Sequence, residues 1–230
     1  VSLPFNHVIA LNAKTGQELW RYKHDRRADW PMCCGPANRG VAVGYGKVFM
    51  GTVDSRLIAL DAKTGQKLWD INAVESAVVT EGQESLNQND PNSKAKTTGG
   101  TGVGMAMAPV VYKDKVIIGI TGVGYGLHID NPREDAPLGA VIGVTGRYGR
   151  PGFLAAFDVK TGGRIWQFDT IAPINWEGQF REATPDGVPF HRDIAKEKAD
   201  LAKYPDAARF GGGSAWSTPA IDAKNGLLYF

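Results

Sequence analysis

The chain has 230 residues, with 26 Lys and Arg against 24 Asp and Glu, 29 glycines, six tryptophans and two cysteines. That length can bury a sizeable core without covalent staples. The nearly balanced charge argues against nucleic acid or an anionic bilayer as partner, and no apolar run approaches the roughly 18 residues of a membrane span.

The first predicted element is a hairpin in "VIALNAKTGQELWRY" (8–22), where two apolar runs flank a turn of Asn, Thr and Gly. The pattern returns as "LIALDAKTGQKLWDI" (57–71) and "LAAFDVKTGGRIWQF" (154–168). Each copy reads as a strand, a tight turn and a strand ending in Trp20, Trp69 or Trp166, with Gly16, Gly65 or Gly162 where positive φ is needed. No charged region followed by an apolar one opens the chain, so no signal peptide is visible.

After the first hairpin comes "DWPMCCGPANRG" (29–40), which holds both cysteines, Cys33 and Cys34, side by side. The residues alone leave two buried free thiols or a metal-ligand pair open. A structural zinc site, however, uses wider spacing and a second ligand cluster, and no histidine lies close in sequence.

The stretch 40–69 then supplies four strand-like segments, ending in the second hairpin. "APVVYKDKVIIGIT" (108–121) and "GFLAAFDVKTGGRIW" (152–166) supply the same four with an interruption. Irregular insertions are expected at about 75–105, 126–151 and 175–210, the last with a helix-forming composition over 191–210 and a weak amphipathic face before Pro205. A degenerate fourth copy, "STPAIDAKNGLLYF" (217–230), keeps the Asp-x-Lys-x-Gly turn and lacks the tryptophan. Four antiparallel strands per repeat predict an all-β protein of the β-propeller class, with about three to four blades in one domain over 1–230. Unrelated hairpins in a β-sandwich are the alternative, but Ala and Trp recurring at fixed offsets favour blades.

At this point the sequence resembles the pyrroloquinoline-quinone (PQQ)-dependent alcohol dehydrogenases, eight-bladed propellers with tryptophan-docking repeats. The motifs that narrow the resemblance are "CCGPANRGVAV" and "GGGSAWSTPAIDAKNGLLYF". It implies a vicinal disulfide Cys33–Cys34 over one face of the quinone, Arg39 at its carbonyl edge and Trp216 under the opposite face. It also places Thr121, Gly122, Val123 and Ser214 around the cofactor. These residue types suit the chemistry, since a flat tricarboxylate needs apolar planes above and below and a cationic donor at its rim.

The sequence departs from the family at two places. The resemblance implies a calcium ion held partly by a glutamate, but that position falls on Gly124 in "IGITGVGYG". Three explanations stand: a carboxylate from the insertion such as Asp130, Glu134 or Asp135, substitution of the cation by Arg147 or Arg150, or an inactive site. The family's Thr-Gly-Ala-Pro segment reads Ala106-Met107-Ala108-Pro109 here, which removes a polar contact that Thr98, Thr101 or Ser214 would have to replace.

The resemblance thus implies a periplasmic oxidoreductase acting on alcohols, with electrons leaving to a cytochrome c or quinone acceptor. It further implies that the catalytic aspartate lies beyond Phe230 and that the remainder of the propeller completes the fold, so that 1–230 is a stretch of a longer enzyme. A noncatalytic scaffold propeller and a PQQ dehydrogenase for a sugar or polyol are the alternatives.

Overall fold

The computed structural model describes residues 1–25, 38–74, 104–120, 151–171, 180–203 and 213–230. Among them four antiparallel sheets follow one another along the chain. The first contains β1 (Ser2–Leu3), β2 (His7–Leu11) and β3 (Glu18–Lys23) in that order. The second is β4 (Ala42–Gly44), β5 (Lys47–Gly51), β6 (Arg56–Asp61) and β7 (Lys67–Asn72). The third is β8 (Val110–Tyr112), β9 (Lys115–Gly119), β10 (Phe153–Asp158) and β11 (Arg164–Asp169), and the fourth is β12 (Ala220–Asp222) with β13 (Leu227–Tyr229). Besides a 3-10 turn at Pro4–Asn6, the described residues contain one α-helix, α1 (Ile194–Lys203), which lies in the third expected insertion and ends before Pro205. The other two insertions lie almost wholly outside the described residues.

Strand alternation explains why the sheets stack. Side chains on a strand point alternately to its two faces, so a sheet between two neighbours must be apolar on both. In β5 and β6 one set, Val48, Met50, Ile58 and Leu60, packs with Val8, Trp20 and Tyr22 of the first sheet. The other set, Phe49, Leu57 and Ala59, shares a core with Val116, Ile118, Ala155 and Phe157, which the β9–β10 register puts on one face of the third sheet. Phe153 to Phe157 on β10 are all buried for the same reason. β4 and β8, the first strands of neighbouring sheets, come so close that a Cβ on Gly44 would lie 2.9 Å from Val111.

The outer ends are tied by the recurring tryptophans. Trp20 Nε1 donates to the Ala62 carbonyl at 3.1 Å, and Trp69 Nε1 donates to that of Val159 at 3.4 Å. Each indole lies on the glycine of the next sheet's turn: a Cβ on Gly65 would be 2.5 Å from Trp20, and one on Gly162 would be 3.1 Å from Trp69. Both glycines have φ near +75° (74° and 75°), as the tight turn requires. Gly226, the counterpart for Trp166, would meet nothing within 4 Å, so the third docking contact is not closed among the described residues.

The turns themselves are Asx turns. The Asp61 carboxylate accepts from the amides of Lys63 and Thr64 and from the Thr64 hydroxyl, and Asp158 repeats this with Lys160 and Thr161. Contrary to expectation, the strands do not end in tryptophan: Trp20, Trp69 and Trp166 are third in β3, β7 and β11. Each register shifts at the residue paired near the tryptophan, a bulge that lets the turn start early while the outer strand continues.

Candidate functional site

Asn38 to Gly40 form a short turn tied at several points. The Asn38 side chain donates to the Gly51 carbonyl at 2.7 Å and accepts from the Gly40 amide at 2.9 Å. The Arg39 amide donates to the Ala106 carbonyl at 2.9 Å. Gly40 has φ of +145° and an added Cβ would be 3.1 Å from Ala108, so the chain leaves this corner only with glycine. These bonds fix the Arg39 backbone and leave its side chain exposed.

Trp216 arrives from the other end of the chain. The Ala215 amide and the Ser214 hydroxyl both donate to the Ile120 carbonyl, at 3.0 and 3.3 Å, and the Thr218 hydroxyl donates to Ala108 O at 2.9 Å. Ala215 is buried while Trp216 is 56% exposed. The Arg39 guanidinium carbon then sits 5.1 Å from the centroid of the Trp216 ring. At an exposed position such a cation–π contact contributes about 0.5–1 kcal/mol.

One stretch of backbone serves both sides. In 104–109, Met105 and Met107 are fully buried, Ala106 O receives Arg39 and Ala108 O receives Thr218. The loss of a polar side chain in Ala106-Met107-Ala108-Pro109 is therefore matched by a main-chain role that sequence reading did not foresee.

An exposed indole face beside a guanidinium is the donor set that a planar polyanion needs: an apolar plane and a forked cation at one place. Among the described residues no group of three or more His, Cys, Asp or Glu side chains could hold a metal ion. Of the residues expected in the site, Arg39 and Trp216 are brought together, and Ser214 stands two residues away with its hydroxyl committed to backbone. Cys33, Cys34 and their pairing, Thr121, Gly122, Val123 and Gly124 lie outside the described residues, as do Thr98, Thr101, Asp130, Glu134, Asp135, Arg147 and Arg150. Ile120, next to Thr121, is held to Ala215 as described above.

Two buried groups near this corner escaped the sequence reading. His24 Nε2 faces both carboxylate oxygens of Asp54, at 3.0 and 3.1 Å, with side chains 4% and 1% exposed. A lone His and a lone Asp thirty positions apart carry no motif, so nothing in the sequence announces the pair. Tyr22, two residues before His24, has its phenol pushed up to about 12, chiefly by burial and then by the Asp70 carboxylate.

The whole chain, residues 1–230, matches the family model "Glucose/ethanol/alcohol dehydrogenase, beta-propeller domain", a PQQ family. It is 31% identical over 99% of its length to quinohemoprotein alcohol dehydrogenase ADH IIB of Pseudomonas putida, covering 25% of that protein. It is 28% identical to the lanthanide-dependent methanol dehydrogenase of Methylorubrum extorquens, covering 31% of it. Among solved structures, the quinohemoprotein alcohol dehydrogenase of Comamonas testosteroni is similar with TM-score 0.57 and 28% identity, over 97% of this chain and 26% of that one. The chain spans about a quarter of the length of the first relatives it matches (25%, 24% and 25%).

Proposed function

Because the chain belongs to the PQQ-dependent glucose/ethanol/alcohol dehydrogenase β-propeller family, we propose that it forms part of a periplasmic quinoprotein that oxidises alcohols. The observation that carries this reading is the Arg39 guanidinium 5.1 Å over the exposed Trp216 ring. A scaffold propeller has no need for a cation and an indole whose segments are held at one spot by hydrogen bonds to four main-chain carbonyls, those of Gly51, Ala106, Ala108 and Ile120. Relatives named as alcohol and methanol dehydrogenases favour an alcohol over a sugar.

Bound PQQ supplies a two-electron acceptor, so that an alcohol leaves as the carbonyl compound and the electrons pass onward. This chain's residues do the holding. Trp216 would hold the quinone by its ring face, and Arg39 would supply a forked cation to oxygen that gains negative charge on reduction, a role that fixed donors perform better than water. Asn38 and Ala106 O fix the Arg39 main chain, which sets the point from which its side chain reaches Trp216. Cys33 and Cys34, joined as a vicinal disulfide, are assigned to the opposite face, with Thr121, Gly122, Val123 and Ser214 at the rim. Calcium or a lanthanide is the family's metal, but the described residues offer no ligand set for it. A cytochrome c is the acceptor in keeping with the quinohemoprotein relatives. No helix among the described residues is long and apolar enough to cross a membrane.

The test is reconstitution. PQQ added to the full-length protein with calcium, or with a lanthanide, should bind at micromolar concentration and support alcohol-dependent reduction of an artificial electron-accepting dye. No binding at that concentration overturns the reading.

A further inference from the structure

Trp216 differs from the docking tryptophans in how its ring is held. Trp20 and Trp69 each fix their own indole by donating Nε1 to a carbonyl of the next sheet. The Trp216 indole makes no such bond to a described residue; its ring is exposed, with the Arg39 guanidinium beside it. The place from which this ring projects is therefore set by its main chain, with no indole bond to correct an error.

That main chain, 213–218, is tied on both sides of the ring by a threonine hydroxyl. Before it, Thr170 Oγ1 donates to the Gly213 carbonyl at 2.5 Å, while the Thr170 amide donates to Gly152 O at 3.0 Å. Gly152 and Thr170 flank the paired ends of β10 and β11, Phe153 and Asp169, so Gly213 is fastened to the open end of the third sheet. The fit there is close: a Cβ on Gly152 would lie 1.8 Å from Gly213 O, and one on Gly213 would lie 2.2 Å from Thr170 Oγ1. After the ring, Thr218 Oγ1 donates to Ala108 O at 2.9 Å, two residues from the carbonyl that receives the Arg39 amide. The first tie registers Trp216 against the third sheet, and the second registers it against the backbone that carries Arg39.

Thr218 is exposed and Thr170 half-buried, so water can replace a lost partner and neither bond adds much to stability. What each supplies is direction, since a hydroxyl donating to a fixed carbonyl allows the segment one position. We infer that Thr170 and Thr218 are positioning residues for the cofactor site, holding the Trp216 segment so that the indole face and the Arg39 cation meet a planar ligand together. This inference rests on the PQQ reading above. Both residues act through Trp216.

PQQ binding to the full-length protein is followed by quenching of tryptophan fluorescence and by the absorption band of the bound quinone. The variants are T170V, T218V, T170S and T218S, and each valine variant combined with W216L. Valine keeps the shape of threonine and removes the donor, whereas serine keeps the donor. T170V and T218V are each expected to raise Kd about three- to tenfold, the size of one hydrogen bond's net contribution, and to shift the band, with far-UV circular dichroism unchanged. T170S and T218S are expected to restore most of the affinity. Adding T170V or T218V to W216L is expected to leave Kd within about twofold of W216L alone, because changes that act through one ring do not add. If a combined variant does not fold, the serine comparison decides. Wild-type Kd in both valine variants, equal losses with serine and valine, or the same fold-loss in W216L as in wild type overturns the positioning role. A wild type that fails to bind PQQ removes the site reading itself, and the role of the two threonines with it.

Discussion

Arg39 and Trp216, which lie near opposite ends of the chain, meet with the guanidinium carbon 5.1 Å from the indole centroid. The contact is built by backbone, not by the two side chains: Ala106 O and Ala108 O, two residues apart, each fix one partner's segment. Replacing Arg39 with Lys is therefore not a mild change, because Lys loses the planar fork while keeping the charge. R39K and W216L are each expected to weaken PQQ binding about tenfold or more, and W216F less, since a smaller aromatic plane remains. Equilibrium titration of the full-length protein with PQQ checks this, and an R39K variant that binds like wild type would remove Arg39 from the site.

Gly65 and Gly16 occupy the same position in successive repeats, with φ of 74° and 73°, but only Gly65 lies under a tryptophan. G16A should cost about 1–2 kcal/mol from the left-handed backbone alone. G65A adds an overpacking term of about 1–3 kcal/mol, because its Cβ would lie 2.5 Å from the Trp20 ring. Thermal unfolding of the two variants side by side should show the larger loss for G65A; equal losses would mean that the tryptophan dock contributes no packing constraint.

The repeat was legible because its residues are consequences of geometry. Asp61, Thr64, Gly65 and Trp69 each meet a separate requirement of the turn and the dock, and the same four recur in 158–166. Arg39 and Trp216 were legible through family motifs; their spacing in sequence gave no sign that they touch. The main-chain acceptors Ala106 and Ala108 were invisible for a physical reason, since any residue offers a carbonyl and side-chain identity says nothing of where it points. His24 with Asp54 was invisible for another: a buried pair brought together by tertiary packing leaves no periodic trace. The trailing half of β3, after Trp20, was missed because the bulge at Ala10/Leu11 uncouples the turn from the strand end.

Tyr22 gives an alkaline signature. Its phenol is pushed up to about 12, first by burial at the junction of the first two sheets, then by Asp70, with Arg56 opposing. A raised folded pKa means that the native state keeps its proton while the unfolded chain gives it up near 10. Stability is then unaffected below about pH 10 and falls as pH rises from there towards 12. Thermal midpoints of wild type and Y22F across pH 8 to 12 are expected to diverge only above about 10, with Y22F losing less. Parallel curves would place Tyr22 in an ordinary solvated setting.

Asp61 and Asp158 govern the acid side by the opposite sign. Both carboxylates are held below their ordinary value of 3.8, first by the backbone amide and then by the hydroxyl of Thr64 or Thr161. A depressed folded pKa contributes stability that is present above the unfolded value and is lost as pH falls through the lowered one. The first repeat supplies its own control, because Asn12 makes the same turn with a neutral amide oxygen, accepting from Lys14 N at 2.9 Å and Thr15 N at 3.3 Å. Hydrogen exchange at the Thr64 and Thr161 amides is expected to quicken relative to the Thr15 amide as pH drops below about 4. In D61N the pH dependence at Thr64 should vanish while that at Thr161 persists. Acid loosening of all three turns together would trace the effect to the sheets and not to the turn carboxylates.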